Sequence, residues 1–204
     1  MNELRDKEKG NIHCLCIIGQ IEGHQTLPED IKSTKYEQLM PALAAIEESQ
    51  EIEGLLILIN TAGGDVEAGL AIAEMISGMT KPTASLVLGG GHSIGVPLAV
   101  AAKKSFIAPS ASMMLHPVRV NGLVIGAEQS FAYLSEMQNR ITNFVTSHAK
   151  ISPQRYNELI NRTGQLANDI GTILSGTEAV SNGIIDGVGT LSDALNYLHK
   201  LRSN

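Results

Sequence analysis

The chain has 204 residues, 43% of them apolar, with 20 glycines and no tryptophan, which suits one α/β domain with a sizeable core and excludes a disordered or fibrous chain. A formal net charge of −6 with scattered lysines and arginines offers nothing to a nucleic acid, so no nucleic-acid partner is expected. The charged start MNELRDKEKGN lacks the apolar stretch of a signal peptide, and Gly, Pro and His break every apolar run short of the roughly 18 residues of a membrane span. A soluble, cytoplasmic protein without a membrane span is expected.

The first strand is read over residues 12–21, IHCLCIIGQI, punctuated by Gly19 and Gly23. Cys14 and Cys16 share one face of it, too close along an extended chain for an ordinary disulfide; buried reduced thiols are expected. Neither a CxxC nor an HxxxH pattern supports a metal site. A polar loop then leads into a helix over residues 36–49, with Leu39, Met40, Leu43 and Ile46 at helical spacing and Pro41 placed in the first turn. GLLILIN (54–60) is a fully apolar strand of the kind covered on both faces, and it stops at the glycine-rich turn TAGGDVEAG.

EAGLAIAEMISGM (67–79) follows as an apolar helix closed by Gly78, then PTASLVLGG (82–90) as the next strand. SIGVPLAVAAKK opens the helix behind it, and SFIAPSASMMLHPV (105–118) holds two short strands around a Pro-Ser turn. Residues 126–150 carry the longest helical pattern, with Phe131, Leu134, Ile141, Phe144 and Val145 recurring at three and four. SPQRYNELINRTG is a helix whose Ser152 and Pro153 suit the N-cap and first turn; LSGTEAVSNGIIDGVG (174–189) reads as a capped helix then a strand, and LSDALNYLHKL as a closing helix. Strand, glycine turn and helix alternate repeatedly without a linker or repeat, which predicts one α/β domain of right-handed βαβ crossovers spanning 1–204.

Gly91 to Gly95, GHSIG, fits the G-x-S-x-G pattern that thrusts a serine out on a sharp strand-to-helix turn. The bland alternative is a serine capping a helix. A serine hydroxyl needs a base within hydrogen-bond reach and donors for the oxyanion before it is a nucleophile. Of six histidines, His116 ends the apolar strand of SMMLHPV, whereas His199 belongs to an amphipathic terminal helix. An α/β-hydrolase order of Ser93, then Asp169 or Asp186, then His199 can be forced, but that fold wants a longer sheet. Gly63-Gly64, between a strand and a helix, leaves backbone N–H groups free for an oxyanion or carbonyl oxygen.

LILINTAGGDVEAGLAIAEMI, GGGHSIG, SMMLHPV, RTGQ (162–165) and LSGTEAVSNGIID (174–186), together with IIGQIE near the start, occur in an order that resembles the Clp protease proteolytic subunit family of serine peptidases, in its divergent translocation-enhancing branch. The likeness runs from about Ile12 to the last helix. It implies a spiral of βαβ units of the Clp-protease and crotonase kind, with residues 126–150 as a protruding handle helix and 1–11 as a charged, flexible lead. It implies Ser93 as nucleophile, His116 as general base, Asp169 as the acid that orients the histidine, and the Gly64 and Ile94 N–H groups as the oxyanion hole. Asp169 is the carboxylate between RTGQ and LSGTEAV, where this chain is shorter than the family; a turn role is expected for Asp186. His92 stands where the family has alanine and is read as a pocket wall in preference to a second titrating group.

The implied activity is a serine endopeptidase that needs no metal or organic cofactor and works through an acyl-enzyme inside a self-associated ring, heptameric or stacked in pairs. Its substrates would be peptides, export-related fragments among them. The segment by which the family meets a Clp-type ATPase has no counterpart in the first eleven residues, so that partner is not carried over. Three alternatives stay open: a crotonase-like acyl-CoA enzyme, a relative of signal-peptide peptidases with a Ser-Lys dyad using Lys103 or Lys104, and a ring-forming scaffold with an idle triad.

Overall fold

A computed structural model describes residues 11–120, 125–164 and 170–201. The central sheet grows from its apolar strands. β1 (Ile12–Glu22) pairs in parallel with β3 (Gly54–Gly64), and β3 in parallel with β4 (Thr83–Gly91). The crossovers are helical: α1 (Tyr36–Glu48) runs between β1 and β3, and α2 (Val66–Ser77) between β3 and β4. α3 (Gly95–Val100) links β4 to β5 (Lys104–Ile107), which pairs in parallel with β4. β3 turns Leu55, Ile57 and Ile59 onto the helices and Leu56 onto the opposite face, so both faces are buried, as a continuous apolar run requires.

The main core lies between that sheet and α1, α2 and α3, around Ile17, Leu43, Ile57, Ile72, Ile76, Val87 and Leu98. Each such side chain, fully buried, contributes about 1.5–3 kcal/mol relative to exposure. The opposite face is partly covered by α7 (Leu191–Leu201), whose Ala194 and Leu198 pack on Leu56, Ala84 and Leu86. The cover does not extend over the outward face of β1. Cys14 and Cys16 are therefore exposed free thiols, not buried ones, while Leu15 and Ile17 between and beyond them turn inward.

The sheet continues β2-β1-β3-β4-β5-β8, with β2 (Ser33–Lys35) and β8 (Gly187–Val188) at its edges. β2 has no apolar run to announce it. It is held on β1 by Thr34, whose Oγ1 accepts from Ile18 N at 2.9 Å and donates to Ile18 O at 2.8 Å. β6 (Ser112–Leu115) leaves this order: it meets β4 at one position, Gly90 opposite Ser112, and pairs antiparallel with β7 (Thr172–Ser175). The sheet thus bends away exactly where the serine turn begins — a mixed arrangement that matches the expected α/β spiral of βαβ units.

α4 (Ala127–His148) is the long helix predicted over 126–150. Its apolar stripe is buried in the C-terminal half, at Met137, Ile141, Phe144 and Val145, but Phe131 and Tyr133 face solvent. Pro41 sits in the second turn of α1, not the first, on an exposed position. α5 (Pro153–Ile160) is capped as expected, Ser152 Oγ accepting from Arg155 N at 3.1 Å, and α6 (Gly176–Ser181) opens on a capping box of Ser175 and Glu178. Among the described residues no helix is long and apolar enough to cross a membrane.

Candidate active site

β4 ends at Gly91 and α3 begins at Gly95, so His92, Ser93 and Ile94 carry the whole change of direction. Ser93 takes φ 56°, the one positive φ outside glycine among the described residues. A β-carbon crowds its own backbone there, at a cost of roughly 1–2 kcal/mol, so neighbouring contacts must hold the turn. They are specific. His92 N donates to Thr61 O at 3.1 Å, Ser93 N to Met114 O at 2.8 Å, and Gly95 N to His92 O at 2.8 Å. The Ile94 N–H between them has no protein acceptor among the described residues, the state an oxyanion donor needs.

Two glycines of β3 make room. A β-carbon on Gly63, at φ 97°, would stand 2.6 Å from Ser93 Cβ. One on Gly64 would run into the Ile21 carbonyl oxygen. Thr61, buried below them, joins three segments: its Oγ1 donates to Gly19 O at 2.5 Å and accepts from Gly63 N at 3.0 Å, while its carbonyl receives the His92 N–H. Thr61 was not legible as a site residue, its signal being only a polar residue interrupting an apolar strand; Gly63, whose N–H was expected to be free for an oxyanion, donates it to Thr61 instead. Asp65 then caps α2, accepting from Ala68 N at 2.8 Å, so the helix starts directly beside the serine.

Ser93, Ile94, Gly64 and His116 line one cavity of about 110 Å³, walled by Val66, Leu115, Val118, Ile141 and Tyr156 and bordered by Arg119. His116 follows the last residue of β6, and its Nδ1 is 2.7 Å from Pro117 O. A carbonyl can only accept, so that nitrogen bears the proton and the neutral ring keeps its lone pair on Nε2. Four of the five predicted site residues are thereby gathered at one place. Asp169 lies outside the described residues.

His92 does not line this cavity, so it is not the wall it was expected to be. Its ring lies over Gly90, and its Nδ1 accepts the Met114 N–H at 3.0 Å, which requires an unprotonated Nδ1. Burial, then the charge that His116 can carry, hold the His92 pKa below its ordinary value of 6.5.

The remaining candidates are engaged elsewhere. Asp186 sits at a bend, but its carboxylate serves other segments and not the turn role expected of it: it accepts from Ser105 N at 3.1 Å and meets Lys150 at 3.1 Å and Lys104 at 3.8 Å. Lys103 Nζ donates to Thr80 O at 2.5 Å, and neither lysine of the Ser-Lys alternative borders the cavity. His199 sits on α7, across the sheet. A larger groove, about 520 Å³, runs between α2 and α4 and contains Ser147 and His148. There His148 Nδ1 is 2.8 Å from Phe144 O and so bears a proton toward that carbonyl, which leaves it unable to take one from Ser147 at 3.1 Å. Among the described residues no cluster of three His, Cys, Asp or Glu side chains is placed to hold a metal ion.

The family model described as Clp protease matches residues 9–192. The chain is 57% identical over 196 residues to the translocation-enhancing protein TepA of Halalkalibacterium halodurans, covering 96% of this chain and 77% of that one. It is 28% identical over 137 residues to an ATP-dependent Clp protease proteolytic subunit 1 of Chlamydia abortus, covering 66% of this chain and 69% of the other. A solved mutant of ClpP1 from Listeria monocytogenes superposes with a TM-score of 0.71 at 22% identity, over 93% of this chain and 95% of that chain. With the strand-to-helix serine turn, the crossover order and these matches together, the chain belongs to the Clp protease family, within its TepA-like subgroup.

Proposed function

We propose that the protein is a serine endopeptidase that cuts peptides through an acyl-enzyme on Ser93. The observation that carries this reading is the left-handed Ser93 turn opening into the same cavity as His116. His116 Nε2 takes the Ser93 proton as Oγ attacks the scissile carbonyl, and returns it to the leaving amine as the C–N bond breaks. The Gly64 and Ile94 N–H groups hold the oxyanion. Water, deprotonated by the same imidazole, then splits the ester and frees Ser93. Asp169 completes the triad by stabilising the imidazolium. No step asks for a metal or organic cofactor.

The active form in this proposal is a ring, heptameric or paired, of chains each folded as one domain over 1–204. Phe131 and Tyr133, left in water on the free half of α4, support a handle that closes against another copy. The name of the TepA relative supports peptides linked to export in the cytoplasm as substrates, and small unstructured peptides need no ATPase to reach an enclosed site. The test is digestion of a mixture of unstructured peptides in ¹⁸O-water without nucleotide. Wild type yields fragments labelled at their new carboxyl ends and Ser93→Ala yields none; equal digestion by both, or by neither, contradicts the proposal.

A further inference from the structure

Met114 spends both of its backbone groups on the serine turn. Its C=O accepts from Ser93 N at 2.8 Å, and its N–H donates to the His92 ring at 3.0 Å. The second bond is unusual in kind. β6 meets β4 through Gly90 and Ser112, and a ladder continued from there would bring residue 92 beside residue 114. The chain has already turned away at that point to present Ser93. The His92 Nδ1 stands where a strand carbonyl would have been, and so extends β6 pairing past the end of β4. His116 lies two residues beyond Met114 on the same extended segment.

His92 is itself fixed from three sides: its N–H on Thr61 O at 3.1 Å, its C=O on Gly95 N at 2.8 Å, and its ring against Gly90, where a β-carbon would come within 2.5 Å of Nε2. The ring is therefore a rigid spacer between nucleophile and base. We propose that His92 is a positioning residue that holds His116 in register with Ser93 by accepting the Met114 N–H at Nδ1. This rests on Ser93 being the nucleophile and adds to it a residue that acts through another.

The bond exists only while the ring is neutral, because a proton on Nδ1 would set one donor against another. Among the described residues facing the ring from β3, β4, β6 and α3, His116 is the group that bears on its charge; Thr61, Gly90 and Met114 do not titrate. Protonation at acid pH thus loosens the register and charges the base in two separate steps. An asparagine oxygen placed as Nδ1 is would accept at any pH.

The experiment is the second-order rate of fluorophosphonate capture by the full chain, followed from about pH 4.5 to about pH 8, for wild type, His92→Ala and His92→Asn. At neutral pH His92→Ala is expected to react some tenfold to a hundredfold more slowly, since a shift of about 1 Å between reacting groups costs that much, while His92→Asn stays within about threefold of wild type. Toward acid the wild-type log rate steepens from slope one to slope two, and His92→Asn keeps slope one. Amide exchange at Met114 quickens in His92→Ala and not in His92→Asn. A labelled wild type with His92→Ala reacting equally fast, or with both proteins on slope one throughout, overturns the positioning role alone. A wild type that takes no probe overturns the nucleophile reading together with it.

Discussion

Gly63 and Ser93 stand so close that a single methyl on the glycine would sit 2.6 Å from the serine β-carbon. The end of β3 thus sets how far the serine turn can settle, and the pair tolerates no side chain. Gly63→Ala meets that overlap and also puts an alanine at φ 97°, together worth about 2–3 kcal/mol. The melting temperature is expected to fall by about 5–10 °C and fluorophosphonate capture by more than tenfold. Unchanged melting and capture would contradict the packing described.

Ser93 carries strain of its own. Replacing it with glycine or alanine removes the nucleophile in both cases, but only glycine relaxes φ 56°. Ser93→Gly should therefore be more stable than Ser93→Ala by about 1 kcal/mol in denaturant unfolding. Equal stability of the two would mean that the turn is not strained.

Asp186 supplies a pH-dependent clamp among residues that do not line the cavity. Burial raises its pKa, but the Ser105 N–H, Lys150 and Lys104 outweigh that and hold it below its ordinary value of 3.8. A folded pKa below the unfolded one stabilises fully above the unfolded value, and the stabilisation is lost as pH falls through the folded one. Asp186→Asn should thus cost about 1–2 kcal/mol at neutral pH, with the gap to wild type closing below about pH 4. Thermal unfolding from acid to neutral pH reads this directly; a gap independent of pH would sink it.

The Pro117 carbonyl meets the His116 nitrogen that the proposed triad gives to Asp169. If the carboxylate orients His116 and stabilises the imidazolium, Asp169→Asn should slow fluorophosphonate capture about a hundredfold or more with the fold intact by circular dichroism. Capture at the wild-type rate would remove Asp169 from the triad and leave the Pro117 carbonyl, 2.7 Å from Nδ1, to fix the tautomer.

Long apolar runs made the architecture legible. β1, β3 and β4 and the helices behind them stand where continuous apolar sequence and helical spacing placed them, except that β3 runs on through Gly64 into the stretch read as a turn; Ser152 and Ser175 cap their helices as their sequence context suggested. Short polar strands were not: β2 owes its place to Thr34 bonding Ile18, and three residues show no period. Periodicity also cannot say whether a stripe has a partner. Phe131 repeats in step with Val145, yet one faces solvent and the other the core, and Cys14 and Cys16 lie beyond the reach of α7. At the site, Ser93 and His116 follow from motif and strand end. Thr61 and the ring of His92 act through backbone partners supplied by distant segments, which one-dimensional patterning does not encode.

The most direct test of the nucleophile assignment is intact mass after fluorophosphonate treatment of wild type, Ser93→Ala and His116→Ala. One adduct on wild type, none on Ser93→Ala and much less on His116→Ala is the predicted result. No adduct on wild type in any assembly state, or equal labelling of all three, would contradict it.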